Sequence, residues 1–124
     1  MQQVSLRKVS EKTPFLEHCF LAKSFLHKAR GFLHKSHIGM QVGMLFPACR
    51  SIHTLFMRCT IDVVFLKRTQ DPFLFVISST RPCVRPWQFV CMDWHADTTL
   101  ELAENAIAHF DLLVGGTICI SLKS

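Results

Sequence analysis

The chain has 124 residues, of which 49% are hydrophobic and 19% are charged, and its formal net charge is +5. This length and composition suit one compact domain with a substantial core, and they exclude a disordered or low-complexity segment. The lysines and arginines are spread along the chain, so the basic charge predicts no specific nucleic-acid partner.

Cysteine usage and hydropathy predict a cytoplasmic protein without a membrane partner. None of the six cysteines forms a Cys-x-x-Cys pair, and the first residues lack the pattern of a signal peptide. We therefore expect reduced thiols. The longest apolar runs are far shorter than the roughly 20 residues that a membrane-spanning helix needs.

The N-terminal third carries two predicted elements. Residues 1–14 are polar and basic and end in a proline, which predicts a tail or an edge strand at Val4–Val9. A single β-rich domain is predicted to follow over residues 15–124. Within it, Ser24 is a suitable N-cap for an amphipathic helix in "FLHKARGFLHK", where apolar residues recur at helical spacing.

After Gly39 the pattern changes to short apolar runs separated by turn residues. "MLFP", "SIHTLFM", "TIDVVFLK", "FLFVISS" and "WQFVCM" predict four or five strands, too close together for helical crossovers and hence antiparallel. "TTLELA" predicts another strand, "NAIAHF" a short helix with Asn105 as its N-cap, and "GGTICISL" a closing strand. The predicted fold is mainly β, a compact antiparallel β-sandwich or jelly-roll-like barrel with one N-terminal and one short C-terminal helix.

Three polar residues interrupt the apolar stretch "RSIHTLFMRCTIDVVFL". If its two halves are strands, Arg58 falls at their connection, and a tight turn there would bring it within reach of Asp62 in an ion pair. His53 lies on the first strand. Such a corner is either a structural device or part of a binding pocket. The candidate binding residues are His53, Thr54, Arg58, Asp62 and Trp87, and Trp87 is also explained by core packing.

The quoted stretches resemble a known family. "GMLFPACRSIHTLFMRCTIDVVFL", "RPWQFV" and "LELAENAIAHFDLLVGG", with "ARGFL" before them, are similar to the domain of unknown function 192, a family of small bacterial and archaeal proteins. The resemblance covers Ala29 to Ile120 and includes His53, Thr54, Arg58 and Asp62. It implies a compact β-rich domain resembling a sandwich or jelly roll, and it implies no established activity.

The chain departs from the family pattern at several turns. Two family glycines are replaced by Asn105 and Asp111, which are among the residues that best tolerate a left-handed backbone. Cys59 and Thr60 replace a Phe-Pro pair, so the corner loses a rigid proline. The family's final Gly-Asp turn also lacks its carboxylate here.

Metal chemistry is not predicted. His27, His34 and His37 lie close together with Cys19 upstream, but their spacing matches no zinc motif. We therefore interpret them as exposed histidines and predict no metal and no cofactor.

Two further chemistries have weak support. In "MDWHAD", Asp93, His95 and Asp97 would share one face of a strand as a base with an orienting acid, although a turn explains the same residues. Cys49 and Cys59 each neighbour an arginine in sequence, but adjacent strand residues point to opposite faces, so inert thiols are expected.

Three functions remain open from sequence. The first is a noncatalytic ligand- or peptide-binding module at His53, Arg58 and Asp62. The second is an enzyme for a small anionic or carbohydrate-like substrate, with Arg58 binding the anion and His53 as acid or base. The third is a protein interaction module that uses an exposed sheet edge. The sequence predicts no oligomeric state.

Overall fold

The computed structural model describes residues 2–23, 32, 35–88 and 90–123. Nine strands and one short helix follow one another along these residues. They are β1 (Gln2–Lys8), β2 (Leu16–Leu21), β3 (Val42–Pro47), β4 (Ser51–Ile52), β5 (Ile61–Arg68), β6 (Leu74–Val84), β7 (Cys91–Met92), β8 (Thr98–Ala103), α1 (Ala106–His109) and β9 (Thr117–Leu122). The fold is mainly β, as predicted.

Seven strands form one closed barrel in the order β1-β2-β3-β8-β5-β6-β9, and β1 closes the sheet by pairing with β9. The predicted alternatives were a sandwich and a jelly-roll-like barrel. The sheet curls onto itself as a closed barrel with its core inside, and a sandwich or jelly-roll topology is not confirmed. Its pairs are antiparallel except β2 with β3, which run parallel. The N-terminal segment predicted as a tail or an edge strand supplies β1, which has a neighbour on each side.

Alternation along the strands produces two apolar clusters. On β5, Val64 and Leu66 face the interior of the barrel, whereas Val63 and Phe65 face outward. The outward face of β3, β8 and β5 is itself buried, because part of the chain between Ala22 and Cys59 and the segment with Cys91 and Ala96 pack over it. This double burial explains why "IDVVFL" is almost continuously apolar.

Gly43 permits the close approach of β2 and β8 to β3. A Cβ atom at this position would lie 2.5 Å from Leu16 Cδ2 and 3.0 Å from Leu102 Cδ2. Any larger residue would therefore push interior side chains apart.

The predictions at the two ends of the chain have different outcomes. The short C-terminal helix is confirmed as α1, with Asn105 at its N-cap and φ of 74° at that residue. Asp111 also has a left-handed backbone, with φ of 54°, as expected for residues that replace family glycines. The N-terminal helix predicted after Ser24 falls on residues 24–31 and 33–34, which lie outside the described residues.

Two predicted strands are wrong over most of their length. Among the described residues of "SIHTLFM" and "WQFVCM", only Ser51–Ile52 and Cys91–Met92 are strands, and the two pair as a small separate sheet. The other described residues of the two segments, 53–57, 87–88 and 90, lie in turns and irregular chain, and Met57 among them packs on the outer face of the barrel. Among the residues described, no helix is long and apolar enough to cross a membrane.

Candidate functional site

Thr54 joins the two turns that replace the predicted strands. Its buried hydroxyl donates to the carbonyl of Arg85 at 2.6 Å and accepts the backbone N–H of Gln88 at 2.9 Å. Its backbone N–H donates to Gln88 O, and its carbonyl accepts the N–H groups of Trp87 and Met57. Thr54 therefore holds residues 53–57 against residues 85–88 through both its side chain and its backbone.

An aromatic pair projects from these joined turns. The rings of Phe56 and Trp87 meet edge to face, with centroids 4.9 Å apart. Both side chains are exposed, Phe56 by 64% and Trp87 by 59%. Trp87 therefore does not pack in the core, and it lies in a turn instead of at the start of a strand.

Both aromatic residues have an unfavourable backbone conformation. Phe56 has φ of 67° and Trp87 has φ of 68°. A bulky side chain at positive φ costs on the order of 1–2 kcal/mol, and such strain tends to concentrate at functional sites. Here the hydrogen bonds of Thr54 compensate for it, so the fold keeps two large apolar groups in solvent.

Two arginines and a histidine lie near the pair along the chain. His53, Arg58 and Arg85 are exposed, and each lies within three residues of Phe56 or Trp87. His53 Nδ1 accepts the backbone N–H of Leu55 at 3.3 Å. We call this set the aromatic corner; it comprises His53, Thr54, Phe56, Arg58, Arg85 and Trp87.

A hollow of about 470 Å³ opens beside the aromatic corner. Its described lining contains one cation and no carboxylate; the residues are Arg81, Pro82, Cys83, Val84, Gln88, Val90, Cys91 and Met92. The guanidinium of Arg81 donates to Thr80 O and Met92 O, at 3.3 Å each, and lies over the ring of Phe65. The electrostatics of this surface favour anions.

Asp62 does not join this corner. Its carboxylate is fully buried and accepts the backbone N–H groups of Cys83 and Ile107, both at 2.9 Å. Among the residues described, no ion pair links it to Arg58, whose side chain is exposed. The predicted ion pair is therefore wrong: Asp62 fastens the start of α1 and the end of β6 to the barrel.

Residues 93–97 of "MDWHAD" form a turn after β7, and Met92 is the last residue of that strand. Asp93 accepts the N–H of His95 at 2.8 Å and the hydroxyls of Ser78 and Ser79 on β6. Burial acts to raise the pKa of Asp93, but these hydrogen bonds, from Ser79 first, outweigh it and lower the pKa. Each interaction fixes the turn, so the alternative interpretation as turn residues is the one that the geometry supports.

Glu101 is a third buried carboxyl group, after Asp62 and Asp93, and sequence reasoning assigned it no role. It lies on the outward face of β8 between Met44 and Val63 on the neighbouring strands, and it is only 5% exposed. Burial raises its pKa to about 7, although a hydrogen bond from the Phe32 backbone opposes the shift. In the part of the chain that the structure describes, Oε1 has no hydrogen-bond partner.

Of the six cysteines, Cys59 next to Arg58 does not carry an activated thiol. All six are free. Burial, then the charges of Glu101 and Glu104, raise the pKa of Cys59 above its ordinary value, and burial raises that of Cys19 to about 12. A raised pKa leaves little thiolate at neutral pH, which argues against nucleophilic chemistry at Cys59.

The predicted histidine cluster is only partly described. His27 and His34 lie outside the described residues, whereas His37 is exposed. Within residues 2–23, 32, 35–88 and 90–123, no three His, Cys, Asp or Glu side chains are arranged to hold a metal ion.

The structure adds Phe56, Arg85 and Glu101 to the predicted site residues. As part of a strand, Phe56 would face away from His53, and only the turn joined by Thr54 brings its ring to Trp87. Glu101 had a signal in sequence, because it is the only charged residue within the apolar run "TTLELA".

Two crystal structures share this architecture. A protein of unknown function from Novosphingobium aromaticivorans has a TM-score of 0.75 and 16% identity, over 94% of this chain and 82% of that one. A protein from Sinorhizobium meliloti, described as a "putative transcription regulator", has a TM-score of 0.76 and 14% identity, over 98% and 92% of the two chains. At these identities the likeness shows the fold alone.

Sequence comparison identifies the family. A search of curated proteins found no match. The model of the DUF192 family, described as "Uncharacterized ACR", matches residues 8–120, which is most of the chain and includes every barrel strand in whole or in part. The chain therefore belongs to the DUF192 family.

Proposed function

We infer that this protein is a noncatalytic binding module whose aromatic corner takes a small ligand, or a peptide side chain, that combines a flat ring with an anionic group. The observation that carries the proposal is the exposed Phe56–Trp87 pair, held at positive φ by the hydrogen bonds of Thr54. Exposed aromatic side chains on a rigid support provide contact area with little loss of conformational entropy.

The charge around the pair determines the ligand class. Arg58 and Arg85 are exposed on the same two turns, and Arg81 lines the adjoining hollow. Guanidinium groups bind carboxylates and phosphates in a bidentate manner, and a neighbouring ring can stack on Trp87. A ligand with both groups would use both features of the corner.

The two other hypotheses have less support. An enzyme that used His53 as a base would benefit from an orienting carboxylate, and Asp62, the nearest candidate in sequence, is engaged by Cys83 and Ile107. Strand addition needs a free edge, and each strand of the described barrel has two neighbours. The name of the Sinorhizobium structure does not favour a nucleic-acid role here, because the cations are not clustered on one element.

Phenyl phosphate is a suitable probe because it combines a ring with a phosphate. In ¹⁵N–¹H NMR titrations we expect it to shift the amides of residues 53–58 and 85–88 more strongly than phenol or inorganic phosphate does. The double variant Arg58→Gln/Arg85→Gln should weaken its binding about tenfold or more, since charge-assisted hydrogen bonds are lost. The matched control is Lys12→Gln/Lys67→Gln, which removes two exposed cations that do not belong to the aromatic corner.

The outcomes separate the hypotheses. Equal weakening by both double variants would mean nonspecific attraction to a basic protein, and no shift at the corner would contradict the proposal. Release of inorganic phosphate from the probe, lost in His53→Gln, would favour the enzyme instead.

A further inference from the structure

The two ends of the barrel differ. At one end, α1 follows β8 and Asp62 accepts the N–H of Ile107, while Ala106, Leu112 and Phe15 extend the interior cluster. This end is therefore covered. At the other end lie the last residue of β5, Arg68, and its partner Phe75 on β6. The first residues of β1 and the last of β9 meet there too, with Val4 opposite Leu122.

A cavity of about 330 Å³ opens at this second end, and we call it the barrel mouth. Six of the seven barrel strands contribute to it or end beside it. Of its described lining residues, nine are apolar and one is charged; they are Val4, Leu21, Leu45, Pro47, Arg68, Pro72, Phe73, Phe75, Ile120 and Leu122. Its floor consists of buried residues of the interior cluster, such as Val4 and Leu45, whereas Phe73 and Leu122 at the rim are about half exposed.

Arg68 supplies the polar end of the site. Alternation along β5 places it on the same face as the interior residues Val64 and Leu66, so its side chain leaves the barrel at the mouth. Its backbone N–H donates to both carboxylate oxygens of Asp97 at 3.1 Å. Its guanidinium forms no ion pair with any described residue, whereas the nearby Lys123 is paired with Glu17 at 3.7 Å.

We propose that the barrel mouth binds a medium-chain aliphatic carboxylate, with the chain inserted among the apolar residues and the carboxylate paired with Arg68. Mouths of β-barrels are common ligand sites, and such sites combine a mostly apolar lining with very few polar groups. A volume of about 330 Å³ lies at the low end of ligand pockets, which favours a medium chain over a long one. This site is independent of the aromatic corner, because the mouth and the corner lie at opposite ends of β6.

Decanoate tests the proposal, with acetate as the head group alone and decyltrimethylammonium as the same chain with the opposite charge. We expect calorimetry to give one decanoate per protein chain, and NMR shifts to fall on residues of the mouth. Acetate should show no measurable binding, and decyltrimethylammonium should bind at least tenfold more weakly than decanoate.

Two variants and a control identify the site. Arg68→Gln should weaken decanoate binding about tenfold, and Leu122→Glu should weaken it by placing a like charge at the rim; both residues are exposed, so neither change threatens the core. Lys67→Gln removes the same charge one residue earlier, on the opposite face of β5, and should change the affinity less than twofold. Equal affinity of the wild type and Arg68→Gln, or shifts confined to other apolar surface residues such as Leu113 and Val114, would overturn the proposal.

Discussion

Replacing Glu101 with glutamine is expected to remove a pH dependence from the stability of the folded protein. The pKa of Glu101 is about 7 in the folded state, against an ordinary value of 4.5. Between these values the folded protein holds a proton that the unfolded chain has released, so the free energy of unfolding falls as pH rises. The stability that Glu101 contributes is fully present below about pH 4.5 and is lost by about pH 7.

The magnitude follows from the difference between the two pKa values. A separation of about 2.5 pH units corresponds to about 3 kcal/mol, which is an upper bound for one group. The charged groups that interact with neighbouring thiols here are Glu101, Glu104 and Arg81, acting on Cys59 and Cys91. Arg81 is the only cation among these three groups, and it forms no ion pair with the Glu101 carboxylate in the described part of the chain.

Urea unfolding of the wild type and Glu101→Gln between pH 5 and pH 8 measures the effect. At pH 5 the variant should be as stable as the wild type or less stable. Between pH 5 and pH 8 its free energy of unfolding should rise relative to that of the wild type by up to about 3 kcal/mol. Groups that are the same in both proteins contribute equally and cancel in the difference. The control is Glu104→Gln, an exposed carboxylate three residues further on, for which the difference should stay constant. A difference for Glu101→Gln that does not change with pH would refute the reasoning, because the carboxyl would then be solvated.

Four substitutions test the packing and hydrogen bonds around the site by equilibrium denaturation. Asp62→Ala should lower the free energy of unfolding by about 2 to 4 kcal/mol, because two N–H groups lose their buried acceptor. Arg58→Ala should change it by no more than about 0.5 kcal/mol. Equal losses in the two variants would instead indicate an ion pair between Arg58 and Asp62. Gly43→Ala should cost about 1 to 3 kcal/mol through the contact with Leu16, and an unchanged midpoint would contradict the close approach of β2 to β3. Thr54→Val should cost about 1 to 3 kcal/mol and speed amide exchange at Gln88, since the hydroxyl that joins the two turns is lost; unaltered exchange would show that backbone bonds suffice.

The long apolar strands were predictable because their patterns have few alternatives. "IDVVFL" and "TTLELA" are rich in β-branched and apolar residues and are buried on both faces, as β5 and β8 of the barrel. The left-handed positions Asn105 and Asp111 were predictable for the same kind of reason, since few residues other than glycine tolerate that backbone.

Local pattern failed where a segment is apolar without being a strand. "SIHTLFM" and "WQFVCM" alternate like strands, but beyond Ser51–Ile52 and Cys91–Met92 their described residues lie in turns and irregular chain. There Met57 packs on the outer face of the barrel sheet, whereas Phe56 and Trp87 are exposed. A covering turn and a strand bury similar side chains, so the pattern cannot distinguish them. The Phe56–Trp87 contact depends on that difference and was therefore not predictable.

By itself the sequence determined the family, the mainly β class, the strands β5 and β8 that are buried on both faces, and the short helix after Glu104. Only the tertiary structure decided the closure of β1 onto β9, the parallel pairing of β2 with β3, the engagement of Asp62 by distant backbone groups and the burial of Glu101. The physical reason is range. Propensity and alternation act between neighbouring residues, whereas these features join residues far apart in the chain, and the partner of each is known only once the barrel has closed.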